Sequence, residues 1–396
     1  MKSTTKAIAP KKGSEGVEAS TRRGFLKGAA VAASAAAAMG PVRSSAQPAI
    51  TLKIQSGVPP KDIFHEMYVQ LGKKIEELSG GKIRIDMLPV GAVSGPFQII
   101  EAVHTGALDG GAAVPAYWFS KQVAFSLFGT GPSFGLDAEG FLGWIYYGGG
   151  QQLYDELLKD MKLDVVAMFF GPMPTQPLGW FKRGEIKSPN DLKGIKYRTV
   201  GLSAELFRQM GASVVIMGGA DIIPALDRGV IDAAEFNNPT SDKMLGFQDV
   251  SKVYMVQSYH QPVEFLELLV NKKKWDGFDS NTKAIFKYAC MAQSADMTWQ
   301  FMDRNSTDFL DLKNKHKVRV VKTPKSVLET QLKAWDRIVK EKSEGNPFFT
   351  KVIESQRKWA ERVVPLRQEI MVDNEPAYNH YFKKVAAASP APAKKP

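Results

Sequence analysis

The chain reads as a two-lobed α/β protein, each lobe a mostly parallel sheet flanked by helices, with extra helices at the C-terminus. Three observations predict this. First, IIEAVHTGALD (99–109) and IIPALDRGVID (222–232) share one pattern: Ile-Ile-x-Ala, an aliphatic residue, two spacers, Gly, one spacer, an aliphatic residue and Asp. Each is a helix end, a glycine stop (Gly106, Gly229) and entry into a strand, because Gly takes the left-handed backbone that closes a helix. Second, the early part of the chain alternates β-α-β-α-β, the signature of a largely parallel sheet. Third, past Pro239 two strand-like stretches, YMVQSYH and FLELLVN, return the chain to the first lobe. Two or three connecting strands favour hinge closure over free tumbling.

The elements follow in order. TLKIQS (51–56) alternates apolar and polar, as a half-buried strand does. Asp62 caps a helix whose Phe64, Met67, Leu71, Ile75 and Leu78 recur at helical spacing up to Gly80-Gly81. KIRIDML (82–88) alternates again, and 96–105 reads as the next helix. Residues 136–160 look helical, with Trp144, Leu153 and Leu157 on the apolar face. A new unit begins with the apolar strand 165–170 and a turn-rich GPMPTQPLGW. Ser203 then caps a helix over 204–210 that Gly211 stops, and SVVIM (213–217) is a strand. Ser326 to Glu329 forms a capping box before Leu328, Leu332, Trp335 and Ile338. A last amphipathic segment, about 348–372, carries Val352, Trp359 and Val363, and AAASPAPAKKP ends the chain as a disordered tail.

The first 46 residues stand apart. Thr21-Arg22-Arg23-Gly24-Phe25-Leu26-Lys27 is a twin-arginine export box, followed by an Ala-rich apolar run and Ser44-Ser45-Ala46, a small-residue cleavage site. The run is too short and too Ala-rich for a permanent span. The expectation is a folded protein exported to the bacterial periplasm. The chain carries +11, of which this leader holds +6, so the remainder is mildly basic at +5. No basic run interleaved with aromatics points to nucleic acid. A modest positive balance suits an anionic small ligand. Cys290 is the only cysteine, which excludes an internal disulfide and a Cys-based metal site. It lies in an apolar helical stretch and reads as core.

A catalytic inventory is thin. His65-Glu66 begins like a zincin motif, but Val69 occupies the second histidine position. There is no P-loop or Cys–His pair, and the five histidines are scattered. Binding groups are easier to find at the carboxyl ends of the strands, where ligands sit in open α/β sheets. Those ends are 114–118 in one lobe and 234–238 in the other. Gln176 stands in a Pro/Gly-rich loop before Gly179-Trp180, and Glu235 follows the second repeat. Arg198 ends DLKGIKYR, and its fork of donors suits a carboxylate through two parallel bonds.

The order Gln176, Gly179-Trp180, Asp191-Leu192-Lys193-Gly194, Arg198, Ala225-Leu226, Gly229, Asp232-Ala233, Glu235-Phe236, Pro239 resembles TRAP transporter substrate-binding proteins. It is most similar to the subgroup that takes 2-oxo acids and lactate, also annotated for mannitol and chloroaromatic uptake. Tyr117-Trp118, 132–136, 245–247 and 269–271 add to the likeness, which covers about 50–340. The resemblance implies a two-lobed periplasmic binding protein fold. Lobe I would be 47–168 with 239–285, lobe II 169–238 with 286–345, then a helical extension 346–384 and the tail 385–396. It implies that Arg198 holds the ligand carboxylate, with Gln176, Tyr117, Trp118, Phe236, Asn237 and Gln261 around the ligand. Gln176, Glu235, the carbonyl of Phe236, and Gln261 would hold a cation that chelates carboxylate and neighbouring oxygen.

Two departures matter. Phe236 stands where the family has Trp, and Gln261 aligns with a family glutamate. With Gln176, Gln261, a carbonyl and Glu235, the donors are hard oxygens carrying one negative charge, fewer than calcium gathers, so sodium is expected over calcium. The implied function is a receptor that passes a small organic monocarboxylate to a TRAP membrane permease, not an enzyme. Its partners are the organic anion, the permease and a second copy through the C-terminal helix, with no nucleic acid. The rivals are an exported enzyme or a sensory protein of the same fold.

Overall fold

The structure, a computed structural model, describes residues 50–383. The export box, the cleavage site and the 385–396 tail lie outside the described residues. Strand β1 (Ile50–Ser56) leads into α1 (Ile63–Leu78), where Asp62 accepts from the amide of Phe64 as the capping reading requires. Then come β2 (Ile83–Leu88), the short α2 (Ile99–His104) and β3 (Gly110–Ala113). Helices α3 (Ala138–Tyr147) and α4 (Gly150–Asp160) precede the long strand β4 (Val165–Met173). The helix read over 136–160 is two, broken at Gly148-Gly149, where Gly149 takes φ +93°.

The second lobe opens with β5 (Gly179–Phe181), β6 (Lys196–Arg198), α5 (Gly201–Gln209), β7 (Ser213–Val215), α6 (Gly219–Asp227) and β8 (Ala233–Ala234). Helices α7 (Pro239–Leu245) and α8 (Phe247–Val250) lead to β9 (Val253–Val256) and β10 (Glu264–Asn271). After α9 (Lys272–Asp276) comes the 35-residue α10 (Ser280–Asn314), then β11 (Arg319–Lys322), α11 (Lys325–Gly345), α12 (Pro347–Ile370) and α13 (Glu375–Phe382).

The two sheets run β2-β1-β3-β10-β4 and β11-β9-β5-β8-β6-β7. Each is parallel except for one strand: β10 is antiparallel to both neighbours in the first, and β5 in the second. Each copy of the repeat delivers a strand to a different sheet. Gly106 (φ +82°) precedes β3, and Gly229 (φ +72°) precedes β8. A Cβ at Gly229 would meet nothing within 4 Å, so only the backbone angle demands glycine there.

Several expected boundaries move. Strand β4 belongs to the first sheet up to Met173, so the lobe border at 168 shifts to the loop after it. Strand β9, read as part of the return to the first lobe, pairs with β5 and β11 in the second sheet. The chain therefore crosses back between 257 and 263, not at 239. Apolar alternation marks a strand but carries no information about which sheet receives it. Helix α10 packs on β4, α1 and α7, so it lies along both lobes and not in the second alone. Helix α5 starts at Gly201, and Ser203 within it donates to the His260 carbonyl at 3.1 Å instead of capping. Helix α11 starts at Lys325 after Pro324, without a side-chain cap, so no capping box forms at Ser326.

Helix α12 returns to the first lobe, burying Phe349, Val352, Ile353 and Ala360 against its own chain. Burying Phe349, Val352 and Ile353 contributes about 1.5–3 kcal/mol each. Trp359 Nε1 donates to the Gly140 carbonyl at 3.0 Å, and Arg367 pairs with Asp137 at 2.7 Å. Beyond that contact Leu366, Ile370, Tyr381 and Phe382 are exposed.

Candidate functional site

The carboxyl ends of β3, β6 and β8 meet around one cavity between the lobes. From β3 the chain runs through Val114 into a 3-10 turn, Pro115–Trp118, that sets Tyr117 on the wall. Strand β6 ends at Arg198, and β8 feeds directly into Glu235, Phe236 and Asn237. Gln176 comes from the first crossing segment, Gln261 from the second, and Glu264 from the first residue of β10. Val58, Phe64, Met173 and Val200 make the remaining wall apolar. The space open to the centre of a water molecule is about 20 Å³, room for one or two waters. The two lobes lie close together around it.

Arg198 is 1 % exposed, and its donors are largely committed. Nε and Nη2 donate to the Met217 carbonyl at 3.1 and 2.9 Å. Nη1 donates to the Glu235 carbonyl at 3.1 Å and to Glu235 Oε1 at 2.9 Å. A guanidinium has five N–H bonds, so one on Nη2 remains. The expected pair of parallel bonds to a ligand carboxylate is therefore not available here. A buried guanidinium must find partners for nearly all its donors, and the Met217 carbonyl and Glu235 supply them. The Phe236 ring lies under the cation, 5.6 Å from its centroid.

The acids are strongly perturbed. Burial pushes the Glu235 carboxyl up to about 7, against the pull of Arg198. Burial, and next the like charge of Glu235, hold Glu264 well above the usual carboxylate range. Gln176 Nε2 donates to Glu264 Oε2 at 2.9 Å. Among the residues lining the cavity, three buried side-chain oxygens are left without a partner, Gln176 Oε1, Gln261 Oε1 and Glu264 Oε1, as is Gln261 Nε2. Buried acceptors are rarely left unmade, and a set of hard oxygens in this state fits a hard cation. Among the described residues no cluster of three or more His, Cys, Asp or Glu is placed to hold a metal. The donor set is instead two carboxylates with two amides, beside the Phe236 backbone.

Glu264 is the residue that sequence reasoning missed, and it overturns the count of one negative charge. The signal was present: PVEFLELLV places two acids inside an otherwise apolar strand, where each needs a reason to be buried. Trp118 is the opposite case. It is fully buried, does not line the cavity, and its indole donates to Glu267. Its place in the ligand shell is withdrawn, because the turn that turns Tyr117 toward the cavity turns Trp118 into the core. Asn237 lines the cavity but spends its side chain on Met173 Sδ and Asn238. Cys290 is buried in α10, where burial raises its thiol.

Comparison with known proteins identifies the family. The chain is 30% identical over 291 residues, 71% of its length and 78% of the relative's, to a monocarboxylate 2-oxoacid-binding periplasmic protein of Nostoc sp.. It resembles a TRAP transporter solute-binding protein from Bordetella bronchiseptica, whose structure holds copurified calcium and picolinate. The TM-score is 0.78 at 29% identity, over 85% of this chain and 97% of that one. A TRAP periplasmic solute-binding protein from Pseudoalteromonas atlantica, with bound sodium and pyruvate, matches with TM-score 0.77 at 26% identity, over 85% of this chain and 100% of that one. The family model for DctP, bacterial extracellular solute-binding protein family 7, matches residues 54–346. The chain belongs to that family and is a TRAP substrate-binding protein.

Proposed function

We propose that the cleft captures a small 2-oxo or 2-hydroxy monocarboxylate together with a hard cation and presents it to a TRAP membrane permease. The observation that carries this is the set of unpartnered oxygens of Gln176, Gln261 and Glu264 beside Arg198. A cation held there, with Glu235 and the Phe236 carbonyl, supplies a positive centre that a carboxylate and its adjacent oxygen chelate. Arg198 adds charge and its one remaining N–H. Val58, Phe64, Val114 and Met173 offer the ligand's other end an apolar wall. That wall disfavours a second carboxylate, and the buried charges disfavour a neutral polyol.

Charge balance bears on the cation. A bound cation favours the ionised form of both raised acids, so Glu235, Glu264 and the ligand then stand negative against the single positive charge of Arg198, leaving two negative charges. A divalent ion neutralises them and a monovalent ion leaves one. This favours calcium over sodium, reversing the expectation drawn when Glu264 was uncounted. The relatives support a cation of either kind, having calcium with picolinate in one case and sodium with pyruvate in another.

Calorimetry with pyruvate tests the reading on protein stripped with chelator, then resupplied with calcium or with sodium. Binding restored best by calcium is expected. Equal affinity in all three buffers would reject the cation site, and no binding to any short 2-oxo or 2-hydroxy acid would reject the ligand class. We also propose twin-arginine export to the periplasm, supported by the leader sequence; loss of export in an Arg22→Lys, Arg23→Lys variant tests it. The exposed Leu366, Ile370, Tyr381 and Phe382 are offered as a contact for a second copy. Sedimentation of a Leu366→Glu, Ile370→Glu variant decides that.

A further inference from the structure

The lobes meet at a second buried point away from the cavity. Asp62, at the start of α1 in the first lobe, accepts through Oδ1 from the Phe64 amide at 3.2 Å and from Ser241 Oγ at 2.8 Å. Ser241 lies on α7, which joins β8 to β9 of the second sheet. Its neighbour Asp242 ties α7 to that sheet by accepting from Trp180 Nε1 at 2.8 Å. Asp62 and Ser241 are 1 % and 0 % exposed, and Asp62 Oδ2 is buried with no partner. Neither residue lines the ligand cavity, but Phe64, two positions along, does.

We propose that Asp62 is a positioning residue for ligand capture: its bond to Ser241 latches the two lobes together and sets Phe64 against the ligand. The inference rests on the receptor reading above, whichever acid is bound. A carboxylate in this place is unusual because its surroundings are acidic. Facing it is Asp242 on α7, which is itself repelled by Glu235 of the cleft. Tyr68 on α1 and Tyr117 present neutral hydroxyls, and His65 is held toward its neutral form by burial. Arg198 is the cation of the cleft, and it is engaged by Glu235.

Burial pushes the Asp62 carboxyl up to about 7 in this closed arrangement, whereas the ordinary value in water is about 3.9. The closed form therefore binds a proton more tightly than a form that exposes Asp62. Closure is favoured as pH falls through 7 and loses that support as pH rises above it. The unpartnered Oδ2 is the atom free to carry the proton while Oδ1 accepts from Ser241.

The test measures pyruvate affinity in calcium from pH 6 to 8 for the wild type, Asp62→Asn, Asp62→Ala and Ser241→Ala. Asp62→Ala and Ser241→Ala should weaken binding about tenfold at pH 6, the scale of a lost hydrogen bond to an ionisable group. Asp62→Asn keeps the cap and an acceptor for Ser241 but cannot titrate, so it should bind like the wild type at pH 6 with a flatter pH profile. Unchanged affinity and unchanged pH dependence in all three overturn the latch. Should Asp62→Ala unfold, Ser241→Ala decides. A ligand-free readout separates the latch from the ligand reading. Spin labels at Lys82→Cys and Lys187→Cys, one exposed site per lobe, should come closer at pH 6 than at pH 8, and less so with Asp62→Ala. If the wild type ignores pyruvate, the ligand reading fails, and label distances unmoved by pH or substitution then overturn the latch.

Discussion

Glu264 and Glu267 stand three residues apart on β10, separated by a bulge at Phe265/Leu266, and both are buried. Burial lifts both carboxyls, Glu267 to about 7 and Glu264 well above the usual carboxylate range. Their surroundings differ. Glu267 has both oxygens occupied, by the Trp118 indole and by the Tyr154 hydroxyl at 2.7 Å. Glu264 has one oxygen on Gln176 and one without a hydrogen-bond partner, in the wall of a cavity that also holds Arg198. A buried acid is therefore not by itself a sign of function. An acid whose coordination is incomplete beside open space is waiting for a partner from outside, and a completed one is holding the fold.

Substitutions can sharpen or break that contrast, ordered by their effect on ligand binding. Arg198→Ala leaves Glu235 buried without its partner and should weaken ligand binding by about 2–5 kcal/mol, read by calorimetry. A near-unchanged affinity would remove Arg198 from the site. Glu264→Gln should weaken calcium binding about tenfold and shift preference toward sodium, since it deletes a charge and keeps the shape; a chelator-buffered cation titration measures this. Trp118→Phe strands Glu267 Oε1 in the core and should cost about 1–3 kcal/mol of stability, seen in denaturant unfolding. It should change the ligand affinity less than about threefold.

Glu267→Gln should leave ligand binding untouched and alter only how stability depends on pH. The folded-state carboxyl is raised to about 7 from an ordinary value of about 4.3. Its contribution is thus fully present below the unfolded value and lost as pH rises through 7. Melting curves of wild type and variant should diverge over that window and run parallel above it. A Glu267→Gln variant that lost ligand affinity would erase the distinction between the two glutamates.

Much of this was legible in the chain. Glycines at 106 and 229, each after an apolar helix end, announced two copies of one unit, and the structure puts one in each sheet. Asp62 announced α1. Arg198, Gln176, Glu235, Phe236, Tyr117, Asn237 and Gln261 were named from the chain, and all line one cavity. These signals are local: φ preference, capping and helical period act over a few residues and survive in one dimension.

Other properties existed only after folding. The sheet that receives β9, the direction in which Trp118 points and the lobe border near 260 depend on which strands pair. The free donor count of Arg198 depends on Met217 and Glu235 meeting it across the second lobe. Glu264 and Glu267 look alike in the string and separate only once Trp118, Tyr154 and Gln176 arrive. The sequence by itself determined the residue types able to bind an anion and a hard cation, and the two similar lobes that carry them. Tertiary structure decided which of those groups are satisfied and which are left open, because that balance is struck between residues distant along the chain.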